Sequence, residues 1–234
     1  MSAPPRTGPD DVSSRQSVRE KRRSADGNRR PPGRADPVSP LGVRLREERD
    51  RLGLSLRELA RRLEVSPSLV SQIETGKTQP SVRTLYAIVS ELGVSVDDMF
   101  AVAEPPPGSP PTGEGPVQRA HDRRVIELES GVRWERLTPW HDPDVDFLYA
   151  IYEVGGASSS DGKLLRHNGR EFGLVLSGRL SVTVGFEEHL LGPGDSISFD
   201  SGTPHRLRND GDEIVHAIWV VLGRYHDARP PREP

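Results

Sequence analysis

Between Ser66 and Thr78 the sequence gathers short polar side chains around one glutamine: Ser66, Pro67, Ser68, Ser71, Gln72, Thr75, Lys77 and Thr78. A glutamine amide holds a donor and an acceptor side by side, which matches the paired N6 and N7 groups on the edge of adenine. Hydroxyls can take either role, and a lysine ammonium is a point charge for a phosphate. The chemistry on offer is recognition, with no bond made or broken. The 234 residues contain no cysteine, which excludes disulfides, thiolate metal sites and a cysteine nucleophile. No Ser-His-Asp set or P-loop is present, and the run GASSSDG at 156–162 reads as a flexible loop rather than a phosphate cradle.

The elements that position Gln72 follow from the spacing of apolar residues. Leu56, Leu59, Ala60 and Leu63 fall on one face of a helix. Ser55 before them and Glu58 three residues later predict a capping box. A second helix is predicted from the cap Ser66, with Pro67 in the first turn, Leu69, Val70 and Ile73 inward and Gly76 as its stop. Helices separated by Glu64–Val65, with small Ala60 where they touch, form a helix-turn-helix. The polar residues are then left on the outer face, which suits insertion into a major groove.

With SQIETGKTQPS after the turn, the stretch closely resembles the lambda-repressor-like, or XRE, DNA-binding domain. That family often has glycine where Glu64 stands here. A left-handed Glu64 costs roughly 1–2 kcal/mol. The resemblance implies an ion pair between Arg49 and Glu74, at the end of the recognition helix. Around the motif, a first helix is expected from Ser39-Pro40, with Leu41, Leu45 and Leu52 inward and Gly53 ending it. A fourth follows Ser81, with Leu85, Ile88, Val89 and Leu92 inward and Gly93 after it. A short fifth covers Val96 to Phe100. Ser68, Ser71, Gln72 and Thr75 are expected at base edges, Ser66, Lys77 and Thr78 at phosphates, and Ser55 and Pro67 complete the expected contact set.

The net charge of −3 and pI near 6.2 give no global basic signal, so a nucleic-acid binder of this composition concentrates its positive charge locally. Residues 1–37 are Pro, Ser, Arg, Gly and Asp with little apolar content and are expected to be a disordered tail. Its cluster of Arg19, Lys21, Arg22, Arg23, Arg29, Arg30 and Arg34 has two readings, a solvated tail and a phosphate-brushing arm. The helical domain spans 38–101. Residues 102–118 form a Pro/Gly-rich, semi-rigid linker with no apolar face to dock. No apolar run approaches the roughly 18–20 residues of a membrane span, and the N-terminus lacks the apolar core of a signal peptide. The expected location is the cytoplasm.

From about Val125 the apolar pattern changes to period two, punctuated by Gly, Pro, Asp and Asn, and predicts a small β-barrel over 119–224. Its expected core is Trp134, Phe147, Tyr149, Ile151, Leu174, Leu176, Val182, Val184, Ile197, Phe199, Ile218 and Val220. Residues 225–234 are expected to fray. GKLLRHNGREFGLVLSG at 162–178 and GDSISFDSGTPHRLRN at 194–209 are similar to the two cupin motifs, so the fold class is multidomain, α then β: a five-helix lambda-repressor-like domain followed by a jelly-roll cupin. A metal-binding cupin draws two histidines and a glutamate from the first motif and a histidine from the second. Leu165 stands at the first histidine position, leaving His167, Glu171 and His205. Those three suffice for Zn²⁺, Fe²⁺ or Mn²⁺ with open positions; the other reading, and the favoured one, is a metal-free barrel in which the same polar groups hydrogen-bond a small molecule or each other. Arg206 beside His205 is expected to join the effector site, and Arg166 and Arg208 flank the motifs. His121, His141, His189, His216 and His226 show no partner set.

Helix-turn-helix, linker and single cupin in that order resemble a common type of bacterial regulator. The expected function is a non-enzymatic transcriptional regulator, a homodimer reading a double-stranded operator, whose cupin binds a small effector. Two alternatives stand beside it: a cupin dioxygenase or isomerase with an accessory DNA-binding domain, and an antitoxin-type module whose β-domain binds a protein. An exposed apolar patch on the barrel favours the last.

Overall fold

The computed structural model describes residues 40–100, 115–142 and 144–223. The expected tails, most of the linker and His226 lie outside them. Five helices come first: α1 Pro40–Arg51, α2 Leu56–Arg62, α3 Pro67–Glu74, α4 Val82–Leu92 and α5 Val96–Met99. Serine starts four of them. Ser55, Ser66, Ser81 and Ser95 each accept a hydrogen bond from the backbone N–H three residues on, each worth roughly 1 kcal/mol. The reciprocal box predicted at Ser55 is half made, because the Glu58 carboxylate pairs with Arg61 and Arg62 instead. The complete box is Ser95–Asp98.

The helices bury Leu41, Leu45, Leu59, Ala60, Val70, Ile73, Leu85, Ile88, Val89 and Leu92. Leu52, expected inside, is 42% exposed, because α1 ends at Arg51 and the chain turns at Gly53. Glu64 does adopt the left-handed conformation, φ 55°. Gly42 is the contact point of α1 with α3: a Cβ there would lie 2.5 Å from the Ile73 carbonyl oxygen and 2.7 Å from that of Glu74.

Nine antiparallel strands follow: β1 Val125–Leu128, β2 Val132–Arg136, β3 Val145–Tyr152, β4 Arg170–Ser177, β5 Leu180–Val184, β6 Glu187–Leu191, β7 Ser196–Asp200, β8 His205–Arg208 and β9 Val215–Leu222. They form one sheet in the order β1-β2-β3-β9-β4-β7 and a second in the order β6-β5-β8. Bridges Ala157↔Arg208 and Leu165↔His205 lay the segment before β4 alongside β8. This is the jelly-roll cupin arrangement, with Trp134, Leu148, Ala150, Val175, Val182, Leu207, Trp219 and Val221 inside.

The expected core is corrected in three strands. Phe147, Leu174 and Leu176 are exposed, and Tyr149, Ile218 and Val220 are half-buried on the same outer face. Their neighbours point inward. β3, β4 and β9 carry apolar residues on both faces, so alternation alone does not say which set is inside. Trp134, Ile151 and Val182 are buried as expected, and Val184, Ile197 and Phe199 pack against the core.

The helices rest on the barrel. The Arg83 N–H donates to the Ser158 carbonyl at 3.1 Å, and the Glu129 N–H to that of Pro80 at 2.9 Å. Asp97, 2% exposed, accepts from Arg136 Nη1 at 3.2 Å, His141 Nδ1 at 2.7 Å and the Asp142 N–H at 3.0 Å. A buried carboxylate demands such partners, and here they come from the β-domain. His141 thus has a partner that its sequence position did not show.

Candidate nucleic-acid interface and cupin cavity

Helix α3 turns Leu69, Val70 and Ile73 toward the other helices and leaves Pro67, Ser68, Gln72 and Thr75 exposed, with Ser71 half-buried. The Ser66 oxygen caps the Leu69 N–H at 3.2 Å and its own hydroxyl hydrogen is left for another acceptor. Thr75 donates its hydroxyl hydrogen to the Ser71 carbonyl at 2.7 Å, so its methyl and oxygen lone pairs are what it presents outward. Lys77 is exposed and Thr78 half-buried; the N–H groups of both turn back to the Gln72 carbonyl. Ser55 is exposed at the start of α2, its oxygen taken by the Glu58 N–H at 3.1 Å.

The helix is held from behind. Arg49 Nε lies 2.6 Å from Glu74 Oε1 and Nη2 2.9 Å from Oε2, a bidentate pair, with both side chains under a tenth exposed. Arg49 Nη1 also donates to the Leu54 carbonyl at 2.7 Å and to Asp50 at 2.6 Å. One guanidinium therefore ties α1, the turn before α2 and the end of α3 together. Its hydrogen bond to Glu74 holds the Arg49 pKa above its ordinary value, against the opposing effect of burial.

In the barrel, β4 carries Glu171, β8 carries His205, and the segment leading into β4 carries His167. Glu171 Oε1 lies 2.8 Å from His167 Nε2 and 3.0 Å from His205 Nε2. The three side chains are 4% exposed or less, and their ligand atoms lie within 4.8 Å of one another. His205 Nδ1 lies 2.8 Å from the Thr203 carbonyl and His167 Nδ1 3.0 Å from that of Asn168. A carbonyl only accepts, so each Nδ1 holds a proton and each Nε2 faces the carboxylate. Glu171 Oε2 accepts the Trp219 indole N–H at 2.6 Å. Burial alone pushes the Glu171 carboxyl up, whereas hydrogen bonds and charge from His167 and His205 with a proton on Nε2 hold it well below the usual carboxylate range; a metal ion at the site would replace those protons. Convergent Nε2 and Oε1 atoms, oriented from behind by carbonyls and an indole, could hold a divalent metal ion; the residues fit such an ion.

Leu165, 3% exposed, lines the same cavity with Tyr152, Trp134 and Leu207. Burial pushes the Tyr152 phenol up. Arg206 is placed elsewhere. Alternation along β8 turns it away from His205, its Nη2 lies 3.3 Å from the Ser159 carbonyl, and it does not line the cavity. Trp219, Tyr86 and Val82 do line it, and nothing in the sequence drew attention to them as site residues. Gly173 pairs with Trp219 across the strands, and a Cβ there would lie 2.1 Å from the indole ring.

These features define a two-domain class, a helix-turn-helix head joined to a cupin. Residues 45–99 match the helix-turn-helix family model and residues 149–221 that of the cupin domain. Among relatives, the HTH-type transcriptional regulator PuuR of Escherichia coli (strain K12) is 28% identical over 177 residues, 76% of this chain and 91% of that protein. The HTH-type transcriptional regulator SutR of the same organism is 28% identical over 176 residues, 75% and 90% of the two chains. The solved structure of an HTH_3 family transcriptional regulator from Vibrio cholerae shares the fold, with a TM-score of 0.56 at 22% identity over 79% of this chain and 96% of that one. The chain is a DNA-binding transcriptional regulator of this helix-turn-helix and cupin type.

Proposed function

We propose that the chain works as a cytoplasmic homodimer that reads an operator through α3 and senses a small molecule in the cupin cavity. The observation that carries the DNA reading is the polar outer face of α3, with Gln72 exposed at its centre and the Arg49–Glu74 pair fixing the helix behind it. Ser68, Ser71, Gln72 and Thr75 face base edges; Ser55, Ser66, Pro67, Lys77 and Thr78 line the backbone. Gln72→Ala is expected to relax preference at one base pair per half-site, a loss of ~1–3 kcal/mol of discrimination. Lys77→Ala is expected to weaken all sequences alike and flatten the salt dependence. Selection of bound duplexes with each variant checks both, and an unchanged motif with Gln72→Ala contradicts this docking.

The partner of the head is a second copy. One helix-turn-helix reads one half-site, and two-fold operators require two heads. The outer face of the large sheet supplies the means. Val220 is flanked by Phe147 and Phe172, and Ile218 by Tyr149 and Leu174, in cross-strand rows. A β-domain whose strands are apolar on both faces needs cover on both. Leu174→Glu with Phe172→Glu is expected to convert the dimer to a monomer in sedimentation equilibrium. A wild-type chain that sediments as a monomer assigns the face to a different protein.

The cavity is read as a sensor. His167, Glu171 and His205 would hold the divalent ion, which supplies a Lewis-acidic centre with open positions for an effector oxygen or nitrogen. The protein orients these donors through Thr203, Asn168 and Trp219, and Leu165 keeps the cavity edge apolar. Effector binding that favours one arrangement of the heads by ~1–3 kcal/mol shifts operator affinity roughly 5–150-fold. Among the described residues no helix is long and apolar enough to cross a membrane.

A further inference from the structure

The cavity beside the histidines has a volume of about 20 Å³, room for one water. Small-molecule sites run to several hundred Å³, so an effector enters only if a wall moves. Most of the wall belongs to paired strands. Trp134 is on β2 between two neighbours, Glu171 and Trp219 are on the paired β4 and β9, and His205 and Leu207 are on β8. Shifting any of these breaks a ladder. Val82 and Tyr86 are the lining residues that come from the DNA-binding domain, both from α4. The Tyr86 ring lies 4.5 Å from that of His167 and 5.5 Å from that of Trp134, centroid to centroid.

A second space lies on the other side of Tyr86. A cleft of about 410 Å³ runs between the α2–α3 turn, α4 and residues 164–166, and Tyr86 and Leu165 border both it and the inner cavity. These two side chains partition a cleft of ligand size from the histidine cluster. The edge of α4 nearest the partition packs its buried Val82 and Tyr86 side chains against the barrel. It has the backbone bonds Arg83 N–H to Ser158 and Glu129 N–H to Pro80, and a 4.0 Å pair between the half-exposed side chains of Arg83 and Asp161, which contributes little. Beyond the far end of α4, the buried Asp97 of α5 holds the helical domain to the barrel.

We propose that α4 is the door of the effector site: a ligand in the cleft reaches His167, Glu171 and His205 when the Tyr86 ring withdraws, and the ring withdraws when α4 lifts from the barrel about the Asp97 attachment. Tyr86 is also where the cavity touches the DNA-reading unit. Leu85, Ile88 and Val89 of the same helix are buried in the helical core with Val70 and Ile73 of α3, so a lifted α4 carries the recognition helix with it. Entry of an effector and re-aiming of the head are then one movement. The proposal rests on the reading of the cavity as the effector site.

The test measures access and needs no ligand. The full chain is treated with diethylpyrocarbonate and the modification of each histidine is followed by mass spectrometry, with His189, whose side chain is 42% exposed, as the internal reference. In wild type, His167 and His205 are expected to react at least ten times more slowly than His189. Tyr86→Ala is expected to speed both at least tenfold, with Tyr86→Phe restoring protection. Because the chain has no cysteine, the pair Arg83→Cys and Ser158→Cys introduces a single tether across the α4–barrel contact. Oxidising it is expected to slow both histidines several-fold, and reduction to restore the rate. The proposal is overturned if the tether leaves the rates unchanged, if Tyr86→Ala labels like wild type, or if the two histidines label as fast as His189 from the start. A chain that binds no divalent ion yet shows the expected labelling contradicts the metal assignment and leaves the door standing.

Discussion

Arg49→Met is expected to destabilise the helical domain by about 3–5 kcal/mol, because it leaves Glu74 charged, buried and without its partner. The magnitude follows from where the pair sits. Both side chains are under a tenth exposed, so the lone carboxylate cannot recover its hydration without opening the contact of α1 with α3. Three attachments go at once: the bidentate bond to Glu74, the bond to the Leu54 carbonyl and the bond to Asp50. Since Glu74 ends the recognition helix, DNA binding is expected to fail together with stability. The double variant Arg49→Met with Glu74→Leu separates charge from packing. Replacing a buried pair by apolar residues of similar volume is often neutral or stabilising, so the double variant is expected to unfold near the wild-type temperature. Denaturant unfolding of the three proteins checks the result. A single variant within 1 kcal/mol of wild type contradicts a structural role for the pair.

The second large effect is expected at Gly173. Its absent side chain is the space in which the Trp219 indole lies, and that indole donates to Glu171 Oε2 at 2.6 Å. Gly173→Ala forces the ring aside, with an overpacking cost of about 1–3 kcal/mol. It also removes the donor that orients Glu171. Loss of such an outer partner typically lowers metal affinity about 10–100-fold. Zn²⁺ titration is expected to give one ion per wild-type chain and a correspondingly weaker site in the variant. Trp219→Phe keeps an aromatic ring and removes the N–H, so it is expected to show the affinity loss with less loss of stability. Equal Zn²⁺ affinity in all three contradicts the placement of Trp219 behind the site.

The helical half was legible because its signals are local. Capping serines, the apolar spacing of α2 to α4 and the turn at Glu64 each act within a few residues. Gly42 was not read as a contact, because its neighbours Ile73 and Glu74 are some thirty positions away and glycine gives no periodic signal. In the barrel, the His167, Glu171 and His205 set is what the resemblance to the two cupin motifs implies, and the structure brings those three together. Arg206 did not follow, because neighbours in a strand point to opposite faces. The core list failed at Phe147, Leu174 and Ile218 for a related reason: where both alternate sets are apolar, only the sheet decides which is inside. The attachment of the helices to the barrel was hidden altogether. Asp97, Arg136 and His141 lie tens of positions apart and none shows its partner locally, and Tyr86 lies beside the Leu85, Ile88, Val89 and Leu92 stripe without belonging to it. Long-range pairing of this kind depends on how two domains meet, which no local pattern encodes.

Whether the chain reads operators as a pair of α3 helices is tested most directly by selecting bound sequences from a random duplex pool with the full wild-type chain. A two-fold symmetric motif is expected, with half-sites centred about 34 Å apart, one turn of DNA. Enrichment of a single unpaired half-site contradicts the dimer, and no enrichment over the starting pool contradicts the reading of α3 as the specificity element.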